Sequence, residues 1–181
     1  VKGYLDPASH FSLSAAAMAL QHVDLDALNL ERVAILSATE YSAACSGYTF
    51  YSQLIEKGPR LASPLIFPHS YPNAAGNLTA IEFNISGPHM VFNTCTNPGE
   101  LVEYARSLFS RHVIDYVLII VYESALQTHL PSGYSVLNGA IALWLSPDIK
   151  GKAIESPYQA VTEGHGCVHA FLNSNMIPTD E

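Results

Sequence analysis

The sequence predicts an α/β domain, a mostly parallel sheet with helices packed on it. Short apolar runs without internal charge stand at 32–38 and 115–122, the pattern of strands covered on both faces. Apolar residues recur at helical spacing before and between them, at 11–22 and 101–108. Turn chemistry, above all Gly58-Pro59 and Gly87-Pro88, separates the segments. Strands that alternate with helices along the chain read as α/β layering.

The elements follow in order. Leu13, Ala16, Ala17 and Leu20 share one helical face, and the alanines let that helix approach a neighbour closely. The run from Arg32 to Ala38 is a buried strand, and 41–57 is a helix stopped by Gly58-Pro59. Three prolines in 64–72 demand an ordered loop and exclude a central strand. Residues 73–83 suit a short helix capped by Asn73 and ended before Gly87-Pro88, and 90–92 a strand. Asn97-Pro98 reads as a cap with proline at the first helical position, and Leu101, Tyr104, Ala105 and Leu108 repeat on the face behind it. Strands are expected at 115–122 and 137–145, with two weaker ones near Ile154 and over 161–171.

A chain of 181 residues, 49% hydrophobic and 13% charged, forms one domain over 1–181 with a real core. Ten Tyr and seven Phe in so lightly charged a chain argue against disorder and for buried interfaces. The net charge of −8 and the scattered basic residues leave no footprint for nucleic acid or an anionic membrane. No apolar run reaches the length of a membrane span, and 1–10 lack the blocks of a signal peptide. Cys45, Cys95 and Cys167 are odd in number, far apart and without zinc spacing, so a reduced, cytoplasmic protein is expected. The sequons at Asn77 and Asn84 are then chance matches.

Cys95 is the first chemical candidate, standing where a strand gives way to a helix. A thiol just ahead of a helix N-terminus faces unpaired amides that favour thiolate, although a cysteine is more commonly a small buried hydrophobe. His165-Gly-Cys167-Val-His169 has metal-ligand residue types but no carboxylate pair or second Cys/His group obliged to converge, so it reads as a flexed loop and no metal is assigned. His69 and His89 reach Cys95 only if the fold brings them there. No GxGxxG, GxxxxGK[ST] or GxSxG is present, which leaves nucleotide and serine-hydrolase chemistry unsupported and calls for no cofactor. Phe67, Tyr71, Phe83 and Phe92 either line an apolar tunnel or pack a core, the second being simpler.

The segment Asn73-Ala-Ala-Gly-Asn-Leu-Thr-Ala-Ile-Glu-Phe-Asn-Ile-Ser-Gly87-Pro88 resembles the N-terminal half of β-ketoacyl-(acyl carrier protein) synthases, where N-x-x-A-G, a helix and G-P precede the nucleophile strand. Upstream, the helix at 11–22, the strand at 32–38 and the approach at 58–68 follow that family's order. Downstream, 101–110 and Asp115 look like its G-x-x-D-x-x-L-x-G region. The likeness extends to about Lys150 and rests on the order of several degenerate motifs. The family writes G-P-S-x-x-x-x-T-A-C, whereas this chain has Gly87-Pro-His-Met-Val-Phe-Asn-Thr94-Cys95-Thr96. Counted from Gly87, Thr96 takes the nucleophile position; counted back from Asp115, Cys95 does. The family's two catalytic histidines lie in a C-terminal half that has no counterpart here, and His165 comes too soon after Cys95 to stand in for one.

The resemblance implies a thiolase-like half-fold. It points to a non-catalytic relative such as a chain length factor, which pairs with an active synthase in fatty-acid or polyketide elongation, because condensation needs histidine donors as well as a thiolate. By the same resemblance Pro88, His89, Met90, Val91, Phe92 and Asn93 are the subunit contact. Phe92, Thr94, Thr96, Asn73 and Phe83 border the acyl tunnel, and Cys95 is catalytic only if the chain is active. A full-length β-ketoacyl synthase is the implied partner. Acyl carrier protein, itself acidic, would reach this acidic chain mainly through that partner. The rival expectations are a self-sufficient acyl-thioester transferase using Cys95 with His69 or His89, and an interaction domain without acyl chemistry.

Overall fold

A computed structural model of the chain describes residues 4–93, 99–147 and 165–173. Its centre is a four-stranded sheet in the order β2-β1-β3-β4, made of β1 (Val33–Ala38), β2 (His89–Phe92), β3 (Tyr116–Glu123) and β4 (Gly139–Leu145). β1 runs parallel to β2, Ile35 opposite His89, and parallel to β3, Val33 opposite Tyr116. β4 lies antiparallel to β3. β1 is buried throughout and β3 from Val117 onward, as apolar runs with both faces covered should be.

Helices α1 (Pro7–Leu20) and α3 (Ala74–Glu82) pack on one face over Val33, Ile35, Leu118, Ile120 and Tyr122. Helices α4 (Gly99–Ser110) and α5 (Gly166–Asn173) cover Ala34, Leu36, Val117, Ile119 and Val121 on the other. Helix α2 (Ala44–Lys57) follows β1. Trp144 stacks on Tyr116 at 5.2 Å across the β3–β4 pair. Among the described residues no helix is long and apolar enough to cross a membrane.

Polar groups fix the joints. Asp6, fully buried, caps α1 by accepting from the Ala8 amide (2.9 Å), and its other oxygen accepts from the Ser46 amide in the first turn of α2 (2.8 Å). Pro7 follows at the first helical position, so α1 begins four residues before the first expected one. Arg32 grips Asp115 with two 2.6 Å hydrogen bonds where β1 and β3 begin; this pairing raises the arginine pKa and lowers that of the carboxyl.

Two expectations are corrected. The strand over 161–171 is instead α5 from Gly166 onward: Cys167, Val168, Ala170 and Phe171 bury one helical face, and the Glu123 carboxylate accepts from the Cys167 amide at 2.8 Å. Asn73 stands before α3 without capping it, because its backbone is already near-helical (φ −83°, ψ −2°) and its side chain bonds no amide there. The expected strand near Ile154 and the Asn97-Pro98 cap lie outside the described residues.

Candidate functional site

The Gly87-Pro88 turn delivers the chain to β2, and it tolerates no side chain at 87. A Cβ there would lie 2.2 Å from the Val33 carbonyl oxygen and 2.8 Å from that of Glu31. β2 then forms the sheet edge next to β1, its other side unpaired among the described residues. It carries no charge, and Met90 is exposed. Side chains alternate: His89 turns toward Gly76 of α3, while Phe92 joins the α4 face and meets Tyr104 edge-on at 5.7 Å. Asn93 is exposed at the strand's end. Thr94, Cys95 and Thr96, the expected nucleophile segment, lie outside the described residues.

The expected tunnel residues separate. Asn73 joins Phe67, Pro68, Tyr71 and Asn77 around an open cavity of about 420 Å³ at the start of α3. Its aromatic wall pairs Phe67 with Tyr71 at 5.1 Å, and Phe50, outside the lining, meets Phe67 at 5.0 Å. Phe83 instead packs into the α1–α3 core and Phe92 into the α4 core, so the two stand on opposite faces of the sheet. Tyr122 ties the segment between the lining residues Tyr71 and Asn73 to the sheet by donating to the Pro72 carbonyl at 2.5 Å. Burial pushes its phenol well up, so it stays a donor. Ser37 sits close enough to Tyr122 to temper that rise.

Of the two histidines proposed to serve Cys95, His69 is buried and His89 half-buried, and among the described residues Nδ1 of the first and Nε2 of the second have no partner. Burial lowers the pKa of His89. His165 and His169 touch ring to ring at 5.1 Å, but among the described residues no three His, Cys, Asp or Glu converge on one point.

Two residues that sequence reasoning passed over stand at the carboxyl ends of the parallel strands. Glu123, fully buried, accepts from the amides of Glu40 (2.7 Å), Tyr41 (2.8 Å) and Cys167 (2.8 Å) and from the Thr39 hydroxyl (3.2 Å). It joins the end of β3, the loop after β1 and the start of α5. A carboxylate ending an apolar run is the signal that could have marked it. Cys45 lines a cavity of about 220 Å³ with Tyr4, Leu5 and Thr49, and the Ser124 hydroxyl donates to its sulfur at 3.3 Å.

The profile of the Beta-ketoacyl synthase, N-terminal domain, family matches residues 2–126. The chain belongs to the β-ketoacyl synthase family. A search of curated proteins finds no match. Among solved structures, the fold is similar to "AntDE:AntF (apo): type II PKS acyl-carrier protein in complex with its ketosynthase bound to the hexaketide", with TM-score 0.70, 20% identity, 80% of this chain and 48% of that one covered. It is also similar to the ishigamide ketosynthase/chain length factor, with TM-score 0.66, 18% identity and coverage of 82% and 46%. A third is the ketosynthase ApeO in complex with its chain length factor ApeC from Xenorhabdus doucetiae, with TM-score 0.60, 14% identity and coverage of 78% and 58%. The chain thus spans about half the length of the solved ketosynthases it matches. The thiolase-like half-fold expected from the sequence is the one observed.

Proposed function

We propose that this ketosynthase-like chain is a non-catalytic subunit that pairs through β2 with an active β-ketoacyl synthase and shapes the acyl tunnel during fatty-acid or polyketide elongation. The observation that carries the reading is the edge itself. β2 is uncharged, open on its outer side among the described residues and exposes Met90, features that proteins normally blunt on an edge left unpaired. The similarity to solved ketosynthase and chain length factor complexes supports it. The partner would supply the condensing histidines and the docking surface for acyl carrier protein, and the pair would work as a cytoplasmic heterodimer. Asn73 beside the Phe67–Tyr71 wall is the tunnel-facing group on this reading, and Pro88 to Asn93 the contact.

The test is native mass spectrometry of the protein isolated from its own host. A complex with a full-length synthase, with no acyl mass on this chain, is the expected result. A second reading is a self-sufficient acyl-thioester transferase using Cys95 with His69 or His89, whose buried ring nitrogens lack a partner among the described residues. An acyl adduct on an unpaired chain that vanishes in Cys95→Ala would establish that reading and sink the first.

A further inference from the structure

His89 begins β2 with its ring under α3, and the fit there is close. A Cβ on Gly76 would fall 2.3 Å from Nε2 and 2.7 Å from Cε1 of His89, and 3.0 Å from Oγ of Ser37. The imidazole therefore fills space that any other residue at 76 would claim. Among the described residues neither His89 Nε2 nor Ser37 Oγ has a hydrogen-bond partner, and both atoms are shut away from solvent. Among the described residues the slot offers a proton the neutral Ser37 hydroxyl and no carboxylate. On α3, Gly76 faces the ring and Thr79 already donates to the Ala75 carbonyl (2.9 Å). On β1 the neighbours are Ile35, in register with His89, and Ser37; on β3, Tyr122 donates to Pro72. Among the described residues no charged side chain acts on His89, and burial lowers its titration.

We propose that His89 makes the seating of edge strand β2 beneath α3 depend on pH: the neutral ring fits the slot over Gly76, the imidazolium does not, and acidification loosens the strand. The consequence for pairing rests on the subunit reading above, whereas the loosening stands on the geometry of this chain alone. A neutral imidazole leaves one nitrogen without a bond. A protonated one buries a charge that no carboxylate among the described residues faces, which is far more costly. The sign follows from linkage. Burial holds the folded ring below its ordinary value of 6.5, so the unfolded chain takes up the proton first. Stability from this site is complete above that value and is lost as pH falls toward the folded value.

The test titrates the His89 ring by NMR in the intact chain and follows amide hydrogen exchange between about pH 5 and pH 8. The ring should titrate below 6.5, and β2 amides should lose about tenfold in protection for each unit of that depression. In His89→Gln the pH dependence of β2 protection should disappear. A ring that titrates at its ordinary value, or β2 protection that stays level with pH, overturns the proposal, and both readouts come from the unaltered chain. Binding to a full-length ketosynthase at the same pH values separates the two ideas. No binding at any pH, with ring and exchange behaving as stated, supports the loosening and sinks the pairing.

Discussion

Gly87 is fixed by the Val33 carbonyl oxygen, a backbone atom that cannot swing aside. Gly87→Ala should cost about 1–3 kcal/mol, read as a lower midpoint in chemical denaturation. A loss too small to measure would mean that the turn moves freely over β1. Glu123 is the other position where chemistry at one atom pair decides a region. Each of its oxygens accepts two hydrogen bonds, so in Glu123→Gln the new NH₂ must point at donors already aimed inward. That mismatch should lower stability by about 2 kcal/mol or more, visible as a drop in Tm. The Gly-Pro pair was legible in the sequence as a turn. Its steric reason was not, because the carbonyl it must clear comes from a strand more than fifty residues earlier.

Helices α1 and α2 share a single buried cap in Asp6, so their entry points are coupled. Asp6→Ala should cost about 1–2 kcal/mol, the upper part of the range for one cap, with hydrogen exchange rising in the first turns of both helices. Rising exchange in α1 alone would show that α2 holds its own start. The Asp6-Pro7 signal is in the sequence, but apolar periodicity alone places the helix four residues late. Edge strand β2 makes a different prediction. Met90→Lys puts a charge on an already exposed position, so the isolated chain should keep its stability within about 0.5 kcal/mol while pairing with a ketosynthase is abolished. Sedimentation of the mixture reads the pairing, and an unimpaired complex would place the contact elsewhere.

The chain as a whole spans about half the length of the ketosynthases it resembles, yet it covers both faces of its sheet with helices of its own. It should therefore melt as one cooperative unit without a partner, with denaturant and calorimetric transitions coinciding. Two separated transitions would divide the α1–α3 layer from the α4–α5 layer. Adding a full-length ketosynthase should raise Tm in a concentration-dependent way if that partner binds only the folded chain.

The amino-acid sequence by itself determined the layering. Apolar runs at 32–38 and 115–122, charged only at their first residue, have no stable home except a strand buried on both sides, and the helical repeats between them supply the cover. The order of weak motifs around Gly87-Pro88 was enough to place the family. Tertiary structure decided what lies beside what. Periodicity did not tell helix from strand in the last segment, where a carboxylate from β3 waits at the start of α5. Nor could it tell that Phe83 and Phe92, both read as tunnel residues, back onto opposite faces of one sheet, or that an imidazole at 89 rests on a glycine at 76. Such contacts join residues distant in sequence, and local propensity carries no term for them.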